Sequence, residues 1–176
     1  MTITARAAGR LEREEFVRRF GGLYEHSPWV AEGAWERRPF ADVDALHGAF
    51  EAAVAAAPLE RRLALIRAHP ELAGREAHDG ALTADSTSEQ ASAGLDRLTA
   101  DELARLRRLN AAYREAFGFP MVVAVREHTK ASIFEQAARR LEHDRDEEIA
   151  TALAEIGKIA RLRLGGLVHD DEEDAP

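Results

Sequence analysis

The run IATALAEIGKIARLRLGGL occupies residues 149–167. At about 100° per residue, the advance of an α-helix, Ile149, Leu153, Ile156, Ala160, Leu164 and Leu167 fall within about 60° of one line. Lys158 and Arg161 fall on the opposite side. Arg163 falls inside the apolar arc, at about −40°. The stretch therefore predicts a long amphipathic helix with one guanidinium turned toward the core. A guanidinium cannot shed its proton there and needs an anionic partner. That partner is either an internal carboxylate or the carboxylate of a bound substrate, gripped by the planar fork.

The same spacing recurs along most of the chain. A first helix is expected over about 11–25, with Phe16, Phe20 and Leu23 on one face. HSPWVAEGAWERRPF (26–40) reads as an ordered, irregular connection with about one turn of helix. Residues 42–57 are Ala-rich and helical, stopped by Pro58, and 59–68 form the next helix. AGREAHDGALTAD (73–85) is polar and is the segment expected to be most mobile. STSEQASAGL starts a helix in which Ser86-x-x-Glu89 has the form of a capping box, and Thr99-x-x-Glu102 opens another. That second helix carries Leu103, Leu106, Asn110, Tyr113 and Phe117, and Gly118 is placed to end it. MVVAVR (121–126) is the one run that reads as extended and buried. Helices over about 129–142 and 145–167 close the chain. These elements predict an all-α, single-domain, irregular bundle of about seven or eight helices over 11–168. A flexible 1–10 and an acidic, flexible 169–176 are expected to flank it.

The bulk numbers narrow the function. The 176 residues are 45% apolar and 32% charged, as in a folded, water-soluble domain. The net charge of −8 argues against nucleic acid, which needs a concentrated basic face. Cysteine is absent, which removes disulfides, a thiolate nucleophile and Cys-ligated metals. No run approaches the roughly 18 apolar residues of a membrane span. The start has no apolar leader and the end no peroxisomal tripeptide, so a cytoplasmic address is expected. The histidines show no metal-ligand spacing, and no Gly-rich phosphate loop or GxSxG elbow occurs. Catalysis, if present, is acid–base chemistry on a small molecule.

His69 stands before Pro70, at the end of the 59–68 helix and at the edge of its Leu59, Leu63, Ile66 stripe. The exposed carbonyls of a last helical turn favour imidazolium, and a nearby arginine would oppose it. The balance suits a proton-transfer group working near neutral pH. In DSTSEQ, Ser86 and Glu89 have a capping explanation, whereas Gln90 has none. A helix start there would offer backbone donors, a hydroxyl, a carboxylate and an amide within two turns.

In this order, YEHSPWVAE (24–32), HPELAG (69–74), LTADSTSEQASAGL (82–95), NAAYREAFGFPMVVAVR (110–126) and EIGKIARLRLGGLV (155–168) resemble the 2-oxo-4-hydroxy-4-carboxy-5-ureidoimidazoline (OHCU) decarboxylase family. The resemblance implies an all-α, cofactor-free homodimer that converts OHCU to (S)-allantoin and CO2 in urate breakdown. It implies that His69 is the catalytic proton donor, and Glu89 is then expected to orient and tune His69 or to hydrogen-bond ureido N–H groups. It implies substrate contacts from Pro70, from Ser86, Thr87, Ser88, Glu89 and Gln90, from Met121, Val122, Val123, Ala124 and Val125, and from Arg163. No metal and no partner beyond the small-molecule substrate and a second copy of the chain are implied. Two other functions fit the residues: a non-catalytic helical interaction module, and a decarboxylase or hydrolase of a related ureido acid.

Overall fold

The computed structural model describes residues 2–74, 80 and 82–170. It is all-α apart from one two-stranded pairing. The α-helices are α1 (Ala5–Ala8), α2 (Arg13–Phe20), α3 (Trp29–Trp35), α4 (Val43–Ala56), α5 (Leu59–Arg67), α6 (Ala84–Ser92), α7 (Ala100–Phe117), α8 (Lys130–Arg140) and α9 (Arg145–Leu164). Single 3-10 turns lie at Leu95–Arg97 and Val125–Glu127. These described helices number nine, against the seven or eight expected, and the short α1 and α3 account for the excess. Among the described residues, no helix is long and apolar enough to cross a membrane.

The chain forms two compact units, Met1–Leu65 with Gly157–Pro176, and Ile66–Ile156, whose boundaries fall inside α5 and α9. The first unit is built on rings: Phe16, Phe20 and Phe50 lie with centroids 4.7–6.2 Å apart, and Phe40 and Tyr24 join them. Pro28 sets the backbone at the start of α3, a suitable place for a residue without an N–H. Val30, Ala31 and Ala34 then bury one side of that helix. Gly33 lets α3 press on α4, since a Cβ there would stand 2.8 Å from the Ala53 methyl. These contacts explain why 29–35 is a two-turn helix where the sequence suggested one turn.

The first ten residues correct an expectation. Ile3–Thr4 (β1) pairs in parallel with Val168–His169 (β2). The Thr4 hydroxyl caps α1, and Ala5 and Ala8 are fully buried. Residues 3–8 are therefore paired or helical where a flexible segment was expected. The start of the 169–176 tail is likewise engaged, because the Asp170 carboxylate accepts from the Val43 N–H at 2.6 Å. The rest of that tail, and residues 75–79 and 81 of the segment expected to be mobile, lie outside the described residues.

The second unit carries the clearest local signals. Thr99 and Glu102 form the expected capping box, and Gly118 ends α7 at φ 77°. Leu106, Asn110, Tyr113 and Phe117 are the buried face of α7. The expected box at Ser86 is displaced by one turn. Thr83 is the cap, its hydroxyl accepting from the Ser86 N–H at 3.2 Å, and Ser86 lies buried inside the helix. Of MVVAVR, Met121–Val125 are buried as expected and Arg126 is exposed, but the run is not a strand. Met121–Ala124 runs without a ladder partner, and Ala124 at φ −72°, ψ 74° makes an inverse γ-turn.

Candidate active site

Of the predicted site residues in the Ile66–Ile156 unit, Gln90 is bonded to the turn that follows α5, and that turn carries Pro70 at its start. Pro70 forbids continuation of the helix, and His69 keeps a last bond from its N–H to the Ile66 carbonyl at 3.2 Å. His69 is 7% exposed. Of its expected stripe, Leu63 and Ile66 are buried, but Leu59 is 44% exposed and lies outside it.

The turn from Glu71 to Gly74 is tied down at several points. The Gln90 side chain accepts from the Ala73 N–H at 2.9 Å and donates to the Glu71 carbonyl at 3.4 Å. The Asn110 amide donates to the Leu72 carbonyl at 3.0 Å. Arg114 pairs with the Glu71 carboxylate at 2.7 Å. Gln90, singled out as having no capping role and expected to contact substrate, braces the backbone just after His69. Asn110 was the missed member. Its signal was a polar residue on an apolar face, the same signal that marked Arg163.

On α6, Ser86, Glu89 and Gln90 are buried, whereas Thr87 and Ser88 are exposed. The Thr87 hydroxyl bonds back to the Thr83 carbonyl at 2.9 Å. α6 also lies against the Val125–Glu127 turn, which joins the Ser86–Gln90 helix to the Met121–Val125 segment. Met121, Val122, Val123, Ala124 and Val125 are all buried. The Ala124 N–H donates to Glu155 Oε2 at 2.8 Å. Glu155 was not visible from sequence, since its position on the helical wheel falls outside the apolar arc of α9. A cavity of about 450 Å³ opens beside Gln90, with Thr87, Asp96 and Arg107 among its polar lining, but His69 and Glu89 do not line it. Among the described residues, no group of three or more His, Cys, Asp or Glu is placed to hold a metal ion.

Arg163 belongs to the other unit and has the internal carboxylate that its inward position required. Its Nη2 stands 3.0 Å from Glu25 Oε1, with side chains 6% and 3% exposed. Nη1 donates to the Leu23 carbonyl at 3.4 Å. Arg161 lies on the wetted side as predicted, paired with Asp44 at 2.8 Å.

The family model described as OHCU decarboxylase matches residues 9–165. The chain is 45% identical over 162 residues to the 2-oxo-4-hydroxy-4-carboxy-5-ureidoimidazoline decarboxylase of Haloferax volcanii, covering 92% of this chain and 94% of that protein. It is 44% identical over 154 residues to the protein of the same name from Mus musculus, covering 88% and 86%. The crystal structure of an (S)-allantoin synthase superposes with a TM-score of 0.74 at 30% identity, over 93% of this chain and 53% of that one, so this chain spans about half of it. An OHCU decarboxylase crystallised in the presence of (S)-allantoin shares the fold, with a TM-score of 0.65 at 20% identity over 89% and 97%.

Two expectations follow. Gln90→Leu keeps volume but strands the Ala73 N–H, so a urea melt is expected to show a loss of about 1–3 kcal/mol. An unchanged melt would show that the turn does not need the amide. Arg163→Met leaves Glu25 buried and unpaired, and is expected to destabilise the protein by about 3–5 kcal/mol. Arg161→Met, on the exposed side, is expected to change stability by no more than about 0.5 kcal/mol. Equal effects from the two substitutions would refute the burial of the Arg163 pair.

Proposed function

The chain belongs to the OHCU decarboxylase family, the carboxy-lyases of urate breakdown, and we propose that His69 is the acid–base group that turns OHCU into (S)-allantoin and CO2. One observation supports this reading above the others. His69 is a buried titratable side chain on a braced turn, in the same compact unit as the buried Ser86, Glu89 and Met121–Val125.

The substrate itself supplies the electron sink. The carbon that loses CO2 is bonded to an imine carbon. As the carboxylate leaves, its electron pair forms a carbon–carbon double bond and the imine nitrogen takes up a proton. The resulting enol loses its hydroxyl proton, and the former imine carbon gains one. Spontaneous decay has no facial preference, so formation of the (S) product requires a proton delivered from one side. His69 accepts the hydroxyl proton and relays a proton to that carbon. A group doing both jobs works best with a pKa near the working pH, the range natural to imidazole.

The remaining residues position the substrate. Glu89 orients His69 or accepts from ureido N–H groups. Ser86 and the backbone of Met121–Val125 bind the ring, with Pro70 shaping the approach and Thr87 and Ser88 at the exposed edge. Gln90 contributes through the turn that it braces. The family resemblance makes Arg163 a contact for a substrate oxygen as well as the partner of Glu25. A grip on the departing carboxylate alone would stabilise the ground state and slow the reaction, so Arg163 serves positioning. We assign the working form as a cytoplasmic homodimer.

His69→Asn is expected to fold normally, by circular dichroism and melting, and to lower kcat about 10²–10⁴-fold. The measurement is CO2 release from freshly generated OHCU. Near-normal turnover by folded His69→Asn protein would overturn the assignment.

A further inference from the structure

The most deeply buried charges of the Ile66–Ile156 unit lie outside the residues used so far. Arg140 is 1% exposed and Glu148 is 0% exposed. Arg140 Nε donates to Glu148 Oε1 at 2.7 Å, and Nη2 donates to the same oxygen. The Tyr113 hydroxyl also donates to Glu148 Oε1, and His143 Nδ1 stands 2.8 Å from Oε2. Burial first, and the bond to Glu148 second, push the Tyr113 phenol well above its ordinary range, so it remains a donor.

Such a pair is an expensive way to hold a core together. Removing both ions from water offsets most of their attraction, and well-packed apolar side chains often stabilise a fold equally well. The fork has two further bonds: a long one from Nη2 to the Tyr113 hydroxyl at 3.5 Å, and one from Nη1 to the Val122 carbonyl at 2.7 Å. Val122 lies in the segment whose Ala124 N–H is held by Glu155 and whose Val125 N–H closes onto the Val123 carbonyl at 2.8 Å. A guanidinium from α8 and a carboxyl group from α9 therefore grip the backbone on either side of the Val123 residue. Arginine suits the α8 end because its planar fork can serve a carboxylate and a carbonyl at once.

We propose that Arg140 is a positioning residue for the reaction: held by Glu148, it fixes the Val122 carbonyl and so sets the Met121–Val125 backbone in the shape that receives the substrate. This rests on the substrate-binding role given to that segment above.

The test compares wild type, R140M/E148Q and Y113F. The double substitution removes both charges together and leaves the new amide as a partner for Tyr113 and His143. It is expected to raise KM for OHCU at least tenfold with kcat within about threefold, since a displaced binding segment weakens substrate and transition state alike. Hydrogen exchange of the Ala124 amide is expected to quicken at least tenfold, with Leu106 of α7 unchanged. Y113F leaves the guanidinium on Val122 and is expected to keep both readouts within about twofold. Wild-type KM and exchange in folded R140M/E148Q would overturn the proposal, as would faster exchange spread over the whole unit. If the double variant does not fold, R140K decides, because a point-like ammonium serves one acceptor less well than a fork serves two. A threefold or greater rise in KM is expected, and an unchanged KM overturns the proposal. If wild type fails to decarboxylate OHCU, the proposed function fails, and the exchange measurement still decides whether Arg140 holds the segment.

Discussion

Ala73 stands at φ 46°, a left-handed conformation that L side chains other than glycine seldom adopt. The turn is kept there by the bond from its N–H to Gln90 and by the bond from Asn110 to the neighbouring Leu72 carbonyl. The position of His69 depends on this constraint, because residue 69 joins the last turn of α5 to the braced backbone. A strained turn persists only where its surroundings over-determine it. Here the surroundings are two amides and an ion pair drawn from α6 and α7. Without them, Pro70 would still end the helix but would not fix where the chain goes next.

The same economy governs the rest of the Ile66–Ile156 unit. Several of its buried polar side chains act on irregular backbone. Gln90 and Asn110 hold the turn after His69, Glu155 holds Ala124, and Arg140 holds Val122. Helices satisfy their own peptide groups, whereas a buried loop does not, and each unsatisfied group carries a penalty. Two non-helical segments placed deep in an all-α protein therefore demand polar side chains from the helices around them. That requirement explains polar residues on otherwise apolar faces, and it links the stability of the unit to the shape of its site.

Much of this was legible in the sequence. The helices from α4 onward follow from apolar spacing, and the Thr99 box and Gly118 stop mark the ends of α7. The inward turn of Arg163 follows from the helical wheel, although the wheel cannot choose between Glu25 and a ligand as its partner. Arg140 and Asn110 carried the same signal on shorter helices. The start of α6 was misplaced because Thr83 and Ser86 are both competent caps, and only tertiary packing selects the first. The pairing of Ile3–Thr4 with Val168–His169 joins residues more than 160 apart in sequence, beyond the reach of any local pattern. Glu155 was hidden because α9 is buried over a wider arc than its aliphatic residues mark.

The central claim is that buried acid–base chemistry at His69 delivers a proton to one face of a decarboxylated intermediate. The handedness of the product tests it most directly. Freshly generated OHCU is mixed with the protein, and allantoin is followed by circular dichroism. A growing signal of the (S) enantiomer is expected, one that outpaces spontaneous decay and is absent with His69→Asn. Accelerated CO2 release that yields racemic allantoin, or an (S) signal undiminished in the folded variant, would contradict it.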